Sequence, residues 1–374
     1  MEMTDPAREV VDLAILTQRA GERAFIASAG GPLVTEAERA AVRHRRIPLD
    51  DQGLFIDWRN RVRLTSLIQR ERPTLLHSHS TEILPLAHSL SRLHRLPLVA
   101  DLTQPLPDQP RIRQLISRLK DIPCLARVPS HYIQDELEDK FGLPSKRIRH
   151  IAPGVDLQWH KADSISPERL QGLSRSWRLP EPTTVVLMPM PLEPGLGHDI
   201  FLEALASVKN ENIFAVLIGS DRHAPGMRAT LENQIHQYGL NGKVVMPESC
   251  ADWPTAFWLA NIVIAPNVKP RGQNRALLGA QAMGRPVIVS DIGANREMVQ
   301  SGGTAWVTQP GDAKALGMAL CQATHLTTEQ RLDLAAAARN FVAENFPQNK
   351  WFEGIIKLYN DVSQPANARI KVAA

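Results

Sequence analysis

The sequence has few aromatic residues, few cysteines and no long apolar run. Only 5% of its 374 residues are aromatic. Its three cysteines, Cys124, Cys250 and Cys321, lie far apart, and none has a second cysteine at the spacing of a metal site. We therefore expect reduced, buried thiols rather than a disulfide framework, a catalytic thiol or a zinc site.

The longest apolar stretches fall short of the roughly 20 residues that cross a bilayer, and residues 1–6 are too polar to begin a signal peptide. The sequence therefore predicts a cytoplasmic protein. A hydrophobic content of 43% and a charged content of 22% are typical of a globular chain, and 374 residues are enough for two domains.

The formal net charge is only +4, but basic residues crowd the first half of the chain. The main clusters are Arg43, Arg45, Arg46, Arg59, Arg61, Arg63, Arg111, Arg113, Arg118, Lys120, Lys146, Arg147 and Arg149. Two interpretations remain open, a solvated surface or peripheral docking on the anionic inner face of the cytoplasmic membrane. These clusters lack interleaved aromatic residues, which argues against a nucleic-acid partner.

One stretch organises the second half of the chain. A polar loop from residue 267 leads into an Ala-rich helix predicted over 276–283, which Gly284 and Pro286 end, and residues 287–289 indicate a buried strand. In open α/β sheets, loops at the carboxyl ends of strands form the ligand crevice. We therefore expect this loop and helix start to meet a ligand.

A similar unit opens the second half. Residues 183–188 indicate a buried strand, and a Pro/Gly loop with Gly195 and Gly197 follows, leading into a helix predicted over 198–208. A strand, a glycine loop and a helix start can bind a diphosphate through backbone N–H groups. Gly195 and Gly197 are therefore candidate donor-binding residues.

A histidine pair follows a strand in the first half. Residues 74–77 indicate a strand that ends in the sequence HSHS, so His77 is a candidate cleft residue. His77 and His79 could also share a metal ion, but the sequence shows no further ligand near them. We therefore expect no metal site.

Two motifs resemble one protein family. The segments GAQAMGRPVIVSDIGANREMV, from Gly279, and FGLPSKRIRHIAPGVD, from Phe141, look like parts of the family 4 retaining glycosyltransferases. The likeness runs in order from about residue 7 to residue 362. It implies an α/β protein of the GT-B fold, in which two Rossmann-like domains face each other across a cleft.

The resemblance also implies the domain organisation. An acceptor-side domain would span 1–165, a nucleotide-sugar-side domain 166–346, and a C-terminal helix within 347–374 would pack back on the first domain. In the family, a strand and a glycine turn precede the first helix. Here only MEMTDP stands before it, so we expect a truncated first strand.

At most of the positions where the resemblance implies a site residue of the family, this chain has a different residue. Two family glutamates fall on Arg271 and Gly279, and an arginine and a lysine of the diphosphate loop fall on Pro191 and Leu196. A sugar-facing histidine falls on Thr103, which leaves a hydroxyl in its place.

Some family positions are kept. Glu297, which follows Gly293 after the strand, matches a later family glutamate, and His77 matches a strand-end histidine. The implied catalytic candidates are His77, Thr103 and Glu297. The implied donor-binding residues are Gly195, Gly197, Arg271, Arg275, Gly279, Gly293 and Glu297.

Three functions follow from this pattern. The first is a weak or inactive glycosyltransferase of bacterial lipopolysaccharide or exopolysaccharide assembly, a partner of an active homologue. The second is an active enzyme that transfers a sugar from a nucleotide-sugar to a glycan or lipid-linked acceptor. In it, His77, Arg271, Arg275 and Glu297 would replace the lost residues, with the two arginines one helical turn apart. The third is a glycan- or lipid-binding module at the membrane surface. None of them requires a cofactor.

Overall fold

The computed structural model describes residues 5–49, 54–208 and 211–363. The residues before Asp5, on which the prediction of a truncated first strand depends, lie outside this part. The described chain forms two compact units. Unit 1 comprises Met1–Ala152 and Asn349–Ala374, and unit 2 comprises Pro153–Gln348.

Helices and strands alternate through both units. The helices are α1 (Asp5–Arg19), α2 (Leu33–Arg39), α3 (Leu54–Glu71), α4 (Leu84–His94), α5 (Pro110–Arg118), α6 (His131–Asp139), α7 (Pro167–Ser176), α8 (His198–Ser207), α9 (Met227–Gln237), α10 (Trp253–Leu259), α11 (Arg275–Ala282), α12 (Ala313–Thr324), α13 (Thr328–Asn345) and α14 (Gln348–Ser363). The strands are β1 (Phe25–Ser28), β2 (Arg43–Arg46), β3 (Leu76–Ser78), β4 (Leu98–Asp101), β5 (Cys124–Val128), β6 (Ile148–His150), β7 (Thr184–Pro189), β8 (Ile213–Ile218), β9 (Val244–Val245), β10 (Ile262–Ala265), β11 (Val287–Ser290) and β12 (Ala305–Thr308).

Unit 2 is built on one parallel sheet of six strands, in the order β12-β11-β10-β7-β8-β9. Its central strands are buried on both faces, which explains their unbroken apolar sequences such as IVIA in β10. Ile165 and Trp177 also join the core of this unit. The polar stretch 160–182 is thus part of unit 2 and contains α7.

Unit 1 holds a four-stranded parallel sheet, in the order β3-β4-β5-β6, and a separate parallel pair, β1 with β2. Its last helix, α14, comes from the end of the described chain. Trp351 and Ile355 of α14 pack with Leu13 of α1, Val99 of β4 and Leu125 of β5 in one buried cluster. Unit 1 therefore needs two distant stretches of the sequence to close its core.

A serine side chain marks the start of one helix in unit 1. Ser130 is the N-cap of α6, and its side chain accepts a hydrogen bond from the N–H of Ile133.

Cys124 and Cys250 are free and buried, whereas Cys321 is free but only half-buried. Across the described ranges, the helices are all too short or too polar to cross a membrane.

Candidate functional site

The loops that follow β7 and β10 define a candidate site in unit 2. The two strands are parallel neighbours. The sheet continues from β7 to β8 on one side and from β10 to β11 on the other, so the strand order reverses between them. Ligands of open α/β sheets bind at such a point, outside the carboxyl ends of the strands. Loop 190–197 after β7 and loop 266–274 after β10 therefore line the expected crevice.

Glycines allow these two loops to touch. The carbonyl oxygen of Gly195 accepts hydrogen bonds from the N–H groups of Val268 and Lys269, both at 2.9 Å. Gly197 is the N-cap of α8 with φ +83°. A Cβ atom on Gly197 would lie 2.6 Å from the carbonyl carbon of Pro266 and closer still to its oxygen. Close packing between loops thus explains both glycines, and their contact with a donor stays a prediction.

Buried amides fix the β10 loop. The side chain of Asn267 donates to the carbonyl of Lys269 at 2.7 Å, and that of Asn295 donates to Oδ1 of Asn267 at 3.0 Å. Gln281 of α11 donates to the carbonyl of Met298 at 2.8 Å. The three amides are buried. Because their hydrogen bonds are made within the protein, the loop is formed before any ligand arrives.

The β7 loop brings no positive charge to the site. Its sequence is MPLEPGLG, and Leu196, where the family resemblance implies a lysine, is buried in the core of unit 2. A cation comes instead from the β10 loop. A Cβ atom on Gly195 would lie 2.6 Å from Cγ and 2.7 Å from Cε of Lys269, so the alkyl part of this lysine lies directly over the glycine.

The two arginines proposed as substitutes are separated by a helix end. Helix α11 begins at Arg275, after the N-cap Asn274, and Arg271 lies in the loop before it. The expectation that both arginines share one helical face is therefore wrong. Nη2 of Arg275 donates to the carbonyl of Gly154 at 3.0 Å, which ties this side chain to the start of unit 2.

The position of the second expected glutamate is filled by other side chains. A Cβ atom on Gly279 would lie 2.7 Å from Cε2 of Phe257 and 2.9 Å from Nε2 of His160. Phe257 is buried, and the Nδ1 of His160 is 2.9 Å from the carbonyl oxygen of Asp156. A glutamate at this position would therefore have to displace two packed rings.

Gly293 and Glu297 lie in a short 3-10 helix, Gly293–Met298, beside the β10 loop. The next N–H, that of Ala294, donates to the carbonyl of Arg271 at 2.8 Å. A Cβ atom on Gly293 would lie 2.5 Å from that carbonyl oxygen. The structure thus brings the backbones of Gly293 and Arg271 together, and it places Glu297 half-buried one turn further on.

A second polar cluster lies at the carboxyl ends of β3 and β4 in unit 1. Nδ1 of His77 shares a hydrogen bond of 2.7 Å with the hydroxyl of Tyr359 on α14, and its Nε2 lies 3.1 Å from Asp101. Nδ1 of His79 lies 2.7 Å from the same carboxylate. Burial first, and then His79, lowers the pKa of His77 to about 4, so its ring is neutral at pH 7. Thr103 is also buried.

Arg127 compensates the carboxylates of this cluster. It is fully buried on β5, with Nη1 at 2.7 Å from Glu9 of α1 and 3.7 Å from Asp101. Burial alone would raise the pKa of Asp101, but His77, Arg127 and His79 together hold it well below its usual value. The cluster therefore contains an ionised aspartate at pH 7.

Asp101 supplies the third metal ligand that the sequence did not show. The ligand atoms of His77, His79 and Asp101 lie within 4.8 Å of one another, close enough to hold one metal ion. Both imidazoles already pair with this carboxylate, and Arg127 already neutralises it. The carboxylate is therefore compensated by neighbouring side chains, and the expectation of no metal site stays a prediction.

Two family models match the chain. The model described as Glycosyltransferase Family 4 matches residues 7–159, and the model described as Glycosyl transferases group 1 matches residues 183–325. Together they span most of the sequence. A search of the curated proteins finds no match.

Solved structures resemble the chain over nearly its whole length. A glycosyltransferase from Rickettsia africae has a TM-score of 0.83 at 19% identity and covers 98% of each chain. Anabaena HepE in complex with UDP-glucose has a TM-score of 0.84 at 20% identity and covers 95% of each chain. Sucrose-phosphate synthase from Thermosynechococcus elongatus has a TM-score of 0.75 at 17% identity, over 93% of this chain and 90% of its own.

Proposed function

Because the chain belongs to the family 4-like glycosyltransferases with the GT-B fold, we propose that it is a member whose donor site has lost its transfer chemistry. The observation that carries this proposal is the packing around Gly279. Phe257 and His160 lie where the resemblance implies a carboxylate, which supports the loss of that acid.

The chemistry of sugar transfer explains why these changes matter. A leaving diphosphate needs positive charge near it, and the sugar needs fixed hydrogen-bonding partners. Where the resemblance implies two bases and two acids, this chain has Pro191, Leu196, Arg271 and Gly279. At these four positions, neither leaving-group stabilisation nor sugar placement can rest on the residues that the resemblance implies.

The proposed setting is bacterial lipopolysaccharide or exopolysaccharide assembly. HepE and a trehalose-6-phosphate protein from E. coli were solved with UDP-glucose and UDP-2-fluoro glucose, which supports a nucleotide-sugar as the ligand class for this chain. The acceptor of the pathway would be a glycan or a lipid-linked glycan. In this setting the protein acts as the partner of an active homologous glycosyltransferase.

A transfer assay tests the proposal. Purified protein is incubated with UDP- and GDP-sugars and a panel of glycan and lipid-linked acceptors, and release of the nucleoside diphosphate is followed. Active enzymes typically turn over at about 1–1000 per second. We expect rates at least about a thousandfold below that range, because the two carboxylates that the resemblance implies for placing the sugar are absent at positions 271 and 279. Ordinary turnover with any donor and acceptor would refute the proposal.

Ordinary turnover would favour the second function, an active enzyme with a different contact set. Arg271, Arg275, Glu297 and His77 would then carry donor binding and chemistry. In that case replacing both arginines with alanine should abolish donor binding, and unchanged affinity would exclude them.

One observation favours a membrane-surface role in addition. Helix α3 exposes 61% of Trp58 and 51% of Val62, one turn apart, and Arg59, Arg61 and Arg63 beside them are exposed as well. Exposed apolar side chains flanked by arginines are typical of helices that lie on anionic membranes. We expect co-sedimentation with vesicles that contain phosphatidylserine, decreasing with salt. Equal binding to neutral vesicles, or none, would contradict this role.

A further inference from the structure

We propose that Lys269 supplies the positive charge of the donor site and binds the diphosphate of a nucleotide or nucleotide-sugar. The proposal rests on the proposed function only in placing a nucleotide-sugar ligand in unit 2. It does not depend on whether sugar is transferred.

Lys269 lies where a ligand is expected in unit 2. It lies in the loop after β10, next to the loop after β7, at the point where the strand order of the sheet reverses. That point is where the topology of an α/β sheet leaves room for a ligand. Lys269 is exposed there, so its ammonium group is accessible from solvent.

Hydrogen bonds and packing against Gly195 hold Lys269 in place. Its own N–H and that of Val268 donate to the carbonyl of Gly195, and its carbonyl accepts from the side chain of buried Asn267. Its alkyl part covers Gly195, where any side chain would collide with it. A positioned lysine loses less conformational entropy on binding an anion than a free one.

The ammonium charge of Lys269 is available to a ligand. No carboxylate pairs with Lys269 among the residues that the structure describes, although many other basic side chains there are in ion pairs. The β7 loop offers no cation, since Pro191 and Leu196 stand where the resemblance implies two. A diphosphate in the crevice would therefore find its positive partner on the β10 loop. An ammonium group binds phosphate as a point charge through strong, charge-assisted hydrogen bonds.

Sequence reasoning missed this residue because it looked for charges at the family's positions. Lys269 is two residues before Arg271 and is separated from Gly195 by more than 70 residues of sequence. The signal that could have found it is topological, because the first loop of a domain and the loop of its fourth strand meet at the reversal of strand order.

Calorimetric titration with UDP, GDP and the matching nucleosides tests the proposal. We expect wild-type protein to bind UDP or GDP in the micromolar range and the nucleoside much more weakly. Lys269→Met keeps the alkyl part over Gly195 but removes the charge. It should weaken diphosphate binding about tenfold to a hundredfold and leave nucleoside binding unchanged. Lys269→Arg should restore most of the affinity.

The matched control is Lys314→Met, which removes another exposed lysine, from α12 of the same unit. It should leave diphosphate binding unchanged. No wild-type binding of UDP or GDP up to millimolar concentration would overturn the proposal, as would equal affinities of wild type and Lys269→Met. Neither result bears on the transfer assay, so the loss of transfer chemistry stands or fails separately.

Discussion

Gly197→Ala is expected to destabilise unit 2 by about 3 kcal/mol. About 1–2 kcal/mol of this comes from placing an L side chain in the left-handed region, where Gly197 has φ +83°. The rest comes from the backbone of Pro266, whose carbonyl carbon lies 2.6 Å from where the new Cβ would be. Backbone cannot rotate away as a side chain can, so α8 and the β10 loop would have to move apart. Urea unfolding followed by tryptophan fluorescence measures the loss.

Gly226 provides a control within the same unit. It is the N-cap of α9, as Gly197 is of α8, and it has φ +91°. A Cβ atom on Gly226 would meet nothing within 4 Å. Gly226→Ala should therefore lower the free energy of unfolding only by the conformational cost of about 1–2 kcal/mol. Equal losses for the two variants would show that the contact with Pro266 is not a constraint on the donor loop.

Acidification from pH 6.5 to 5 is expected to weaken both units. Burial lowers the pKa of His77 in unit 1 and of His198 in unit 2, each to about 4. In the unfolded chain both titrate near 6.5. Between these values the unfolded state binds more protons, so stability is present above pH 6.5 and is lost as the pH falls toward 4. Each histidine should lower the free energy of unfolding by about 2 kcal/mol as the pH falls from 6.5 to 5.

Separate variants assign the two contributions. The free energy of unfolding is measured by urea titration at several pH values between 6.5 and 5. His77→Gln should flatten the pH dependence of the unit 1 transition, and His198→Gln that of the unit 2 transition. The comparison uses slopes, because either substitution also changes stability at neutral pH. Slopes that match the wild type in both variants would contradict burial as the cause of the lowered pKa values.

The course of the chain could be predicted well from sequence, because buried parallel strands and their loops leave strong local signals. Residues 183–188 and 287–289 are apolar and bounded by turn residues, and they form β7 and β11 at nearly those positions. The likeness to a known family added the GT-B fold, which is confirmed.

The candidate site was less predictable, because its residues meet only through the fold. Asp101 joins His77 and His79 from the neighbouring strand, and Tyr359 arrives from the end of the described chain. His160 reaches Gly279 across more than 100 residues. Local patterns report which face of a strand is apolar, whereas these contacts depend on strand order and on the path of distant helices. Sequence therefore indicated candidate positions for the site and not the side chains that meet there.

Unit 1 is built from two separate stretches of the sequence, and this affects how the protein folds during synthesis. Unit 2 is continuous from Pro153 to Gln348, whereas unit 1 waits for α14 to cover Val99 and Leu125 and to bring Tyr359 to His77. On a translating ribosome, the later part of the protein therefore has all its core residues before the earlier part does. Until α14 emerges, part of the first sheet remains open to chaperones and to aggregation. The exposure of the first sheet in the nascent polypeptide therefore ends only when α14 has been synthesised and packs against it.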